Sequence, residues 1–368
     1  MVLNKQNIDW DKLGFSVFPT RSMWKATCES RGEWSGGELV PYSNIEMSPA
    51  AGVLHYGQGV FEGLKAYHTA KDQIVLFRPD MNGQRIQDSC RRLCMPIMTT
   101  KYFMDSVKKV VRDNMDFIPP YKKGGLYIRP VVWGTGPTIG VGPADAYTFI
   151  IFTTPVGPYF RGGIKPLNLI ASENYHRAAP KGIGNVKAIG NYSASLQPVK
   201  EAKADGFDEV LYLRAADERY VDEVGSANIF MRKGNKLVTP RLSGSILPGI
   251  TRNSIIHLAA DQLGLDVIEG DLLLKDIFKE DIIQILDLAD VLKKEKQNGV
   301  YRNNLSNKSL AIILNKPSTR TKVSFELAMY ELGGHVINLN YNDLQLSRSE
   351  TIEDTANALS CYINVIVA

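Results

Sequence analysis

The sequence predicts a mixed α/β (α+β) protein of two or three domains, on three observations. The chain has 368 residues, more than one domain ordinarily holds. Its apolar fraction of 44% is ample for a sizeable core. Short β-branched and aromatic runs alternate with segments of helical periodicity, and Gly and Pro clusters separate them.

Residues 1–45 are polar and aromatic, with Asp9-Trp10 and a turn at Ser35-Gly36-Gly37, and read as an N-terminal arm leading into short strands. Leu54–Tyr67 reads as a helical turn followed by a strand. Ile74–Phe77 is a strand ended by Arg78-Pro79-Asp80, and the next helix carries Arg85, Arg91 and Arg92. A further helix is expected at Met104–Met115. The strand Tyr127–Trp133 feeds the loop Gly134–Val141, and the strand Tyr147–Thr153 is broken at Thr154–Phe160. Strand composition returns at Leu167–Ala171, Glu209–Leu213, Asn228–Met231 and Lys236–Thr239. A helix follows Pro248-Gly249 and runs to about Leu263, and Asp266–Ile268 is a short strand. Apolar residues recur at helical spacing from Lys275 through Leu292. A strand at Ser309–Leu314, a loop at Asn315–Thr321 and a helix at Val323–Leu332 come next.

The net charge of +4 is spread out and contains no Lys/Arg block, so nothing points to nucleic acid. No apolar run reaches membrane-spanning length, and Met1–Gln6 has the start of neither a signal nor a transit peptide. Cys28, Cys90, Cys94 and Cys361 lack metal-type partners and predict reduced thiols in a cytoplasmic or organellar matrix compartment. Cys90 and Cys94, one helical turn apart, are expected on one face of a helix.

The stretch with most chemistry is Gly184-Asn185-Val186-Lys187-Ala188-Ile189-Gly190-Asn191-Tyr192. A lysine among glycines, at the mouth of a helix, is poorly placed to be a solvated charge. Glycines let the backbone approach a flat ligand, and a desolvated lysine becomes a usable amine nucleophile. That suits Schiff-base chemistry with an aldehyde cofactor, above all pyridoxal phosphate. An ordinary Gly-rich loop with an exposed lysine fits the same letters.

With its flanks this stretch resembles the lysine segment of branched-chain aminotransferases, the fold-type-IV pyridoxal-phosphate enzymes, and the resemblance runs from about Ile8 to about Leu273. It implies a small N-terminal domain over 1–154, an interdomain connector over 155–165, and a large domain over 166–273. Lys187 would hold the cofactor and move the proton. Glu223, in Asp222-Glu223-Val224-Gly225-Ser226, would pair with the ring nitrogen, with Ser226 nearby; if 222–230 is a strand, only one of Asp222 and Glu223 can face the ring. A surface carboxylate is the competing reading for Glu223. Arg85 matches the family's phosphate arginine. Ile250 and Thr251 would offer backbone N–H groups at a helix N-terminus, although a Pro-Gly turn with a capping threonine fits the same residues. Tyr192 resembles the tyrosine on the cofactor's ring hydroxyl. Tyr56, Phe61, Tyr127 and Tyr159 match positions lining the substrate pocket, where core packing is the alternative for each. Arg129 resembles a residue that recognises the acidic co-substrate. Ile139 and Val141 lie in a loop that the family inserts into a partner's site, which implies a homodimer.

The resemblance then breaks. The family's Asp-Glu-Val-Phe strand and Gly-Thr-Ala turn do not follow Leu273, so the large domain reads as incomplete. Instead Ser318-Thr319-Arg320-Thr321, followed by Ser324-Phe325-Glu326, resembles the carbamoyl-phosphate loop of ornithine and aspartate carbamoyltransferases, closer to the ornithine enzyme. Residues 274–368 therefore read as a partial α/β carbamoyl-phosphate-binding domain, and the whole as a chimera. The implied activity is amino-group transfer between Leu, Ile or Val and 2-oxoglutarate. The alternatives are a D-amino-acid transaminase or lyase, disfavoured by Phe61–Tyr67 and Tyr127–Pro130, a carbamoyltransferase-like fragment, or an inactive chimera.

Overall fold

The computed structural model describes residues 8–29, 32–158, 166–277, 291–300, 303–314, 319–340, 344 and 351–367. They fall into two units, Met1–Ile277 and Phe278–Ala368.

The first unit begins with a seven-stranded antiparallel sheet. Its strands are β1 (Ser22–Glu29), β2 (Glu38–Pro41), β3 (Gly59–Phe61), β4 (Leu64–His68), β5 (Ile74–Leu76), β6 (Gly125–Gly134) and β7 (Ala146–Val156). The order is β2-β1-β7-β6-β4-β5, with β3 also paired to β6. The short strands expected after an N-terminal arm are therefore led by the eight-residue β1, which lies inside the sheet. Its inward residues Trp24, Ala26 and Cys28 are buried and alternate with exposed Lys25, Thr27 and Glu29. That is the period of a half-buried strand.

Two helices cover this sheet's core. Helix α2 (Pro79–Arg92) starts on the proline that was expected only to end a strand, because proline lacks just the N–H that a first helical residue leaves unused. Helix α3 (Thr100–Asp113) starts four residues before the expected Met104, since Thr99 caps it by accepting from the Tyr102 N–H at 3.1 Å. Ile86, Cys90, Phe103, Val107 and Val110 of these helices pack with Trp24, Leu126, Ile128 and Phe149 of the sheet. Cys94 does not share the helical face of Cys90: α2 ends at Arg92, and Cys94 has φ +55 and is exposed while Cys90 is buried. Strand β7 continues through Pro155 to Val156. Its pairing with β1 ends at Ile151, so Pro155 lies where one flank of the strand is free, which tolerates a missing N–H.

The remainder of the unit holds two three-stranded sheets. One is β10 (Asp217–Val224), β9 (Glu209–Arg214) and β8 (Leu169–Ala171); the other is β11 (Met231–Lys233), β12 (Lys236–Pro240) and β13 (Asp266–Gly270). The expected strand across 222–230 breaks at Gly225, whose φ of +52 turns the chain, and β11 starts only at Met231. Helices α5 (Leu196–Ala204), α6 (Ile250–Asp261) and α7 (Leu274–Ile277) lie against β9, β13 and β10 of these sheets, whereas α1 (Gly52–Tyr56) and α4 (Ile189–Ser193) lie against β6 and β3 of the large sheet.

In the second unit residues 291–297 form α8. A parallel sheet follows, β15 (His335–Asn340), β14 (Ser309–Leu314) and β16 (Val365–Val367), with α9 (Thr319–Glu331) and α10 (Ile352–Ser360). Leu310, Ile312 and Met329 form its core with Val336 and Val367. The helix expected from Val323 starts at Thr319, so three residues expected in a loop, Thr319, Arg320 and Thr321, form its first turn. Ser318, most of the stretch read as the connector, and the helical run over 278–290 lie outside the described residues.

Candidate active site

Lys187 stands directly before α4, in a segment tied to the large sheet. Its N–H donates to the Ser89 hydroxyl at 3.2 Å, and its carbonyl accepts from the Phe61 N–H at 3.1 Å. Gly184, three residues earlier, passes so close to Ser245 that an added Cβ would lie 2.2 Å from that residue's carbonyl oxygen. This glycine therefore serves protein packing, where the sequence had suggested contact with a flat ligand. The Lys187 Nζ donates to the Tyr192 hydroxyl at 3.0 Å and lies over the Phe61 ring, 4.7 Å from its centre. Burial pulls its pKa down to about 8, helped by Arg85 and Arg129 and opposed by Glu62 and Tyr127.

Lys187 and Ser226 line two adjoining cavities, of about 460 and 630 Å³. The smaller is polar at one end, where Arg85, Asn228, Ile250 and Thr251 converge. Helix α6 opens there on Gly249 with no side-chain cap, which leaves first-turn N–H groups for an anion. The larger is walled by Phe61, Trp133, Phe152 and Ile189, with Tyr127 and Arg129 at one side. Arg129 donates to the Tyr127 hydroxyl at 2.9 Å and stacks over Phe61, while its buried Nε has no partner.

Glu223 is the penultimate residue of β10 and only 2% exposed, so the surface-carboxylate reading does not hold. Its Oε1 accepts from Asn228 Nδ2 at 2.8 Å and from the Leu247 N–H at 3.2 Å. Its Oε2 lies 2.6 Å from Arg177 Nε, an ion contact without hydrogen-bond alignment, so this buried oxygen keeps a lone pair without an aligned donor. Burial raises the carboxyl to about pH 7, against the pull of Arg177 and the Leu247 N–H. Asp222 faces elsewhere, accepting from Ser245 Oγ at 2.7 Å and meeting Arg214 at 3.4 Å.

The structure thus brings together Lys187, Tyr192, Glu223, Ser226, Arg85, Ile250, Thr251, Phe61, Tyr127 and Arg129. It does not bring Tyr56, Ile139 and Val141 to either cavity. The Tyr56 hydroxyl donates to the Ile139 carbonyl on an outward loop whose Ile139 and Val141 are 84% and 89% exposed. Tyr159 lies outside the described residues. The sequence did not point to Arg177 and Asn228 on Glu223, to Glu62 and Asn82 beside Arg85, or to Trp133, Phe152 and Ile189 in the larger cavity. Trp133 was findable, because Tyr127, Arg129, Val131 and Trp133 share one face of β6 at a spacing of two.

Comparison with known proteins decides the family. The profile of amino-transferase class IV matches residues 59–286. The chain belongs to the class IV aminotransferases. Among curated relatives of this class IV chain, branched-chain-amino-acid aminotransferase 5, chloroplastic, of Arabidopsis thaliana is 48% identical over 285 residues, 77% of this chain and 68% of that protein. Branched-chain amino acid aminotransferase 2, chloroplastic, of Humulus lupulus is 50% identical over 263 residues, covering 72% and 64%. The chain therefore spans about two thirds of these plant relatives, at 68% and 64%. The solved branched-chain amino acid aminotransferase of Escherichia coli superposes with a TM-score of 0.58 at 30% identity, covering 70% of this chain and 78% of that one. That of the thermophilic archaeon Thermoproteus uzoniensis, solved with norvaline, gives 0.59 at 28% identity, covering 70% and 80%. Residues 272–368 match a second profile, the carbamoyl-P binding domain of aspartate/ornithine carbamoyltransferase.

Proposed function

We propose that this class IV aminotransferase moves the amino group between branched-chain L-amino acids (Leu, Ile, Val) and 2-oxoglutarate, using pyridoxal 5'-phosphate. The observation that carries the proposal is Lys187: a buried amine of lowered basicity, 3.0 Å from the Tyr192 hydroxyl, in the wall shared by an anion-type cavity and an aromatic one. The residues fit the cofactor. Glu223 Oε2 is a buried acceptor lacking an aligned donor, suited to a ring N–H. Arg85 and the first turn of α6 suit a phosphate. When bound, the cofactor supplies an aldehyde for the amine and an electron-withdrawing ring.

The chain's own residues divide the remaining work. Lys187 Nζ carries the proton within reach of the reacting carbon. Tyr192 orients that amine through its hydroxyl. Glu223, whose charged form Arg177 and the Leu247 N–H favour against the opposing effect of burial, would hold positive charge on the ring nitrogen. Arg129 and Tyr127 offer a carboxylate site at one side of the larger cavity, and Phe61, Trp133 and Phe152 offer hydrocarbon surface. A substrate with a polar head and an apolar branched tail matches that division. The relatives' printed names support the same substrates.

The proposal extends to assembly and to domain boundaries. The exposed Ile139–Val141 loop would reach a second copy's site in a homodimer. Residues 1–154 and 166–273 would be the small and large domains. The second unit, on its profile match and its parallel β14–α9 arrangement, would be of the carbamoyl-phosphate-binding type. The test of the main reading is optical and kinetic. The purified chain should show a visible absorbance band and transaminate leucine with 2-oxoglutarate. Both should vanish in Lys187→Ala with its fold intact, and after borohydride treatment. Turnover retained by that variant would remove the assignment.

A further inference from the structure

Glu62 directly follows β3, in the connection to β4, with its side chain entirely buried. It accepts from Arg85 Nε at 2.7 Å and Nη2 at 2.8 Å, a two-pronged pairing. Asn82 Nδ2 donates to the same carboxylate at 2.7 Å, and the Gly63 N–H at 3.2 Å. Arg85 Nη1 donates to the Pro248 carbonyl at 3.1 Å, on the loop leading into α6. A guanidinium has five N–H groups. Three are taken by these bonds, which leaves one on Nη1 and one on Nη2. Arg85 is 13% exposed and lines the smaller cavity, as do Ile250 and Thr251.

A largely buried ion pair is poor stabilisation, because desolvation offsets most of its Coulomb gain. Glu62 also cancels the charge that would draw an anion to Arg85. What the pair does supply is direction: a planar group gripped on two nitrogens by Glu62 and on the third by Pro248 cannot rotate. We propose that Glu62 is a positioning residue, holding the Arg85 guanidinium so that its two remaining N–H groups meet the cofactor phosphate beside the first turn of α6. The inference rests on the reading of Arg85 as a phosphate ligand.

Charge and orientation predict opposite results. If Glu62 acted only as a charge, Glu62→Gln would remove an anion near a phosphate and tighten binding. If it orients Arg85, the same change weakens binding, and only for ligands that carry the phosphate. The experiment titrates pyridoxal 5'-phosphate, and in parallel unphosphorylated pyridoxal, into the cofactor-free full chain. The proteins are wild type, Glu62→Gln, Arg85→Gln and the double variant. Glu62→Gln should weaken pyridoxal 5'-phosphate by at least about tenfold, the lower end of the worth of one charge-assisted hydrogen bond, and should not weaken pyridoxal. The double variant should be no weaker than Arg85→Gln, since the two residues act as one unit. Unchanged or tighter phosphate binding in Glu62→Gln, while Arg85→Gln weakens it, overturns this inference alone. So does an equal loss for both ligands, or an additive double variant. If Arg85→Gln itself leaves the phosphate form unaffected, the phosphate reading of Arg85 falls and takes this inference with it. Should Glu62→Gln not fold, Asn82→Ala keeps both charges and removes one donor to Glu62. The same phosphate-selective loss, smaller in size, is expected there, and a loss shared equally by pyridoxal overturns the inference.

Discussion

Lys187 and Glu223 are buried ionisable groups whose acidities burial moves toward neutrality from opposite sides, to about 8 and about 7. For Lys187 the folded chain loses its proton near pH 8, whereas the unfolded chain keeps it to about 10.5. Between those values the unfolded state binds more protons, so the lysine's contribution to stability grows as pH rises through that window. In the cofactor-free chain we expect Lys187→Met to flatten this rise in a pH series of thermal melts. We also expect an amine-directed probe to label Lys187 with a midpoint near pH 8. A midpoint near 10.5, the ordinary lysine value, would show the amine to be solvated. For Glu223 the sign reverses. Its folded value lies above 4.5, so burying it costs stability as pH rises from there to about 7. Glu223→Gln should retain the cofactor yet slow transamination by roughly 10²-fold or more, the usual loss for one acid–base or electrostatic group. A wild-type rate would place the ring partner elsewhere.

Among the elements, the end of β10 and the loop before α6 are bridged by the Asn228 side chain, which donates to Glu223 at 2.8 Å and to the Leu247 carbonyl at 3.0 Å. Asn228→Ala removes one hydrogen bond to a charged group, worth about 1.5–3 kcal/mol. That bond is present without the cofactor, so its loss should lower the melting temperature of the cofactor-free chain, and the loosened carboxylate should weaken cofactor affinity by at most roughly 150-fold. Equal affinity in a cofactor titration would show that Leu247 alone holds the carboxylate. Much of this arrangement was legible beforehand wherever a local pattern carried it. Lys187, Tyr192 and the start of α6 sit in short runs whose glycines, proline and spacing announce a turn into a helix. Strand β10 was harder to read, because Asp217-Glu218-Arg219-Tyr220 has no apolar alternation. Its partner β9 supplies the order that its own residues lack. Arg177, Glu62 and Asn82 were missed for a related reason. Each is defined by a partner brought close only by the fold, and a lone Arg, Glu or Asn says nothing of which charge will face it. Cys94 shows the opposite error, where a valid helical spacing outran the helix.

Over the whole chain, the two units carry separate cores. One is built on the large antiparallel sheet and the other on Leu310, Ile312 and Met329 of the parallel one. Calorimetry of the full chain should therefore show two unfolding transitions. Pyridoxal 5'-phosphate should raise the midpoint of only one, because a ligand stabilises the folded unit that binds it. A single transition that shifts as a whole would mean that the units unfold together. No described helix is long and apolar enough to cross a membrane.

Strand β6 has a consequence for how such a site changes over generations. Leu126, Ile128 and Val132 on one face are fully buried in the core, while Tyr127, Arg129, Val131 and Trp133 on the other line the larger cavity, successive ones about 6.8 Å apart. One strand thus keeps two ledgers, with even positions constrained by packing and odd positions by the ligand. If that cavity takes the substrate, as proposed, drift at Val131 and Trp133 would reshape substrate choice while the sheet stays folded. On the proposed function, the aromatic end of the cavity would be the evolvable end, and the Tyr127–Arg129 end the fixed grip on a substrate carboxylate.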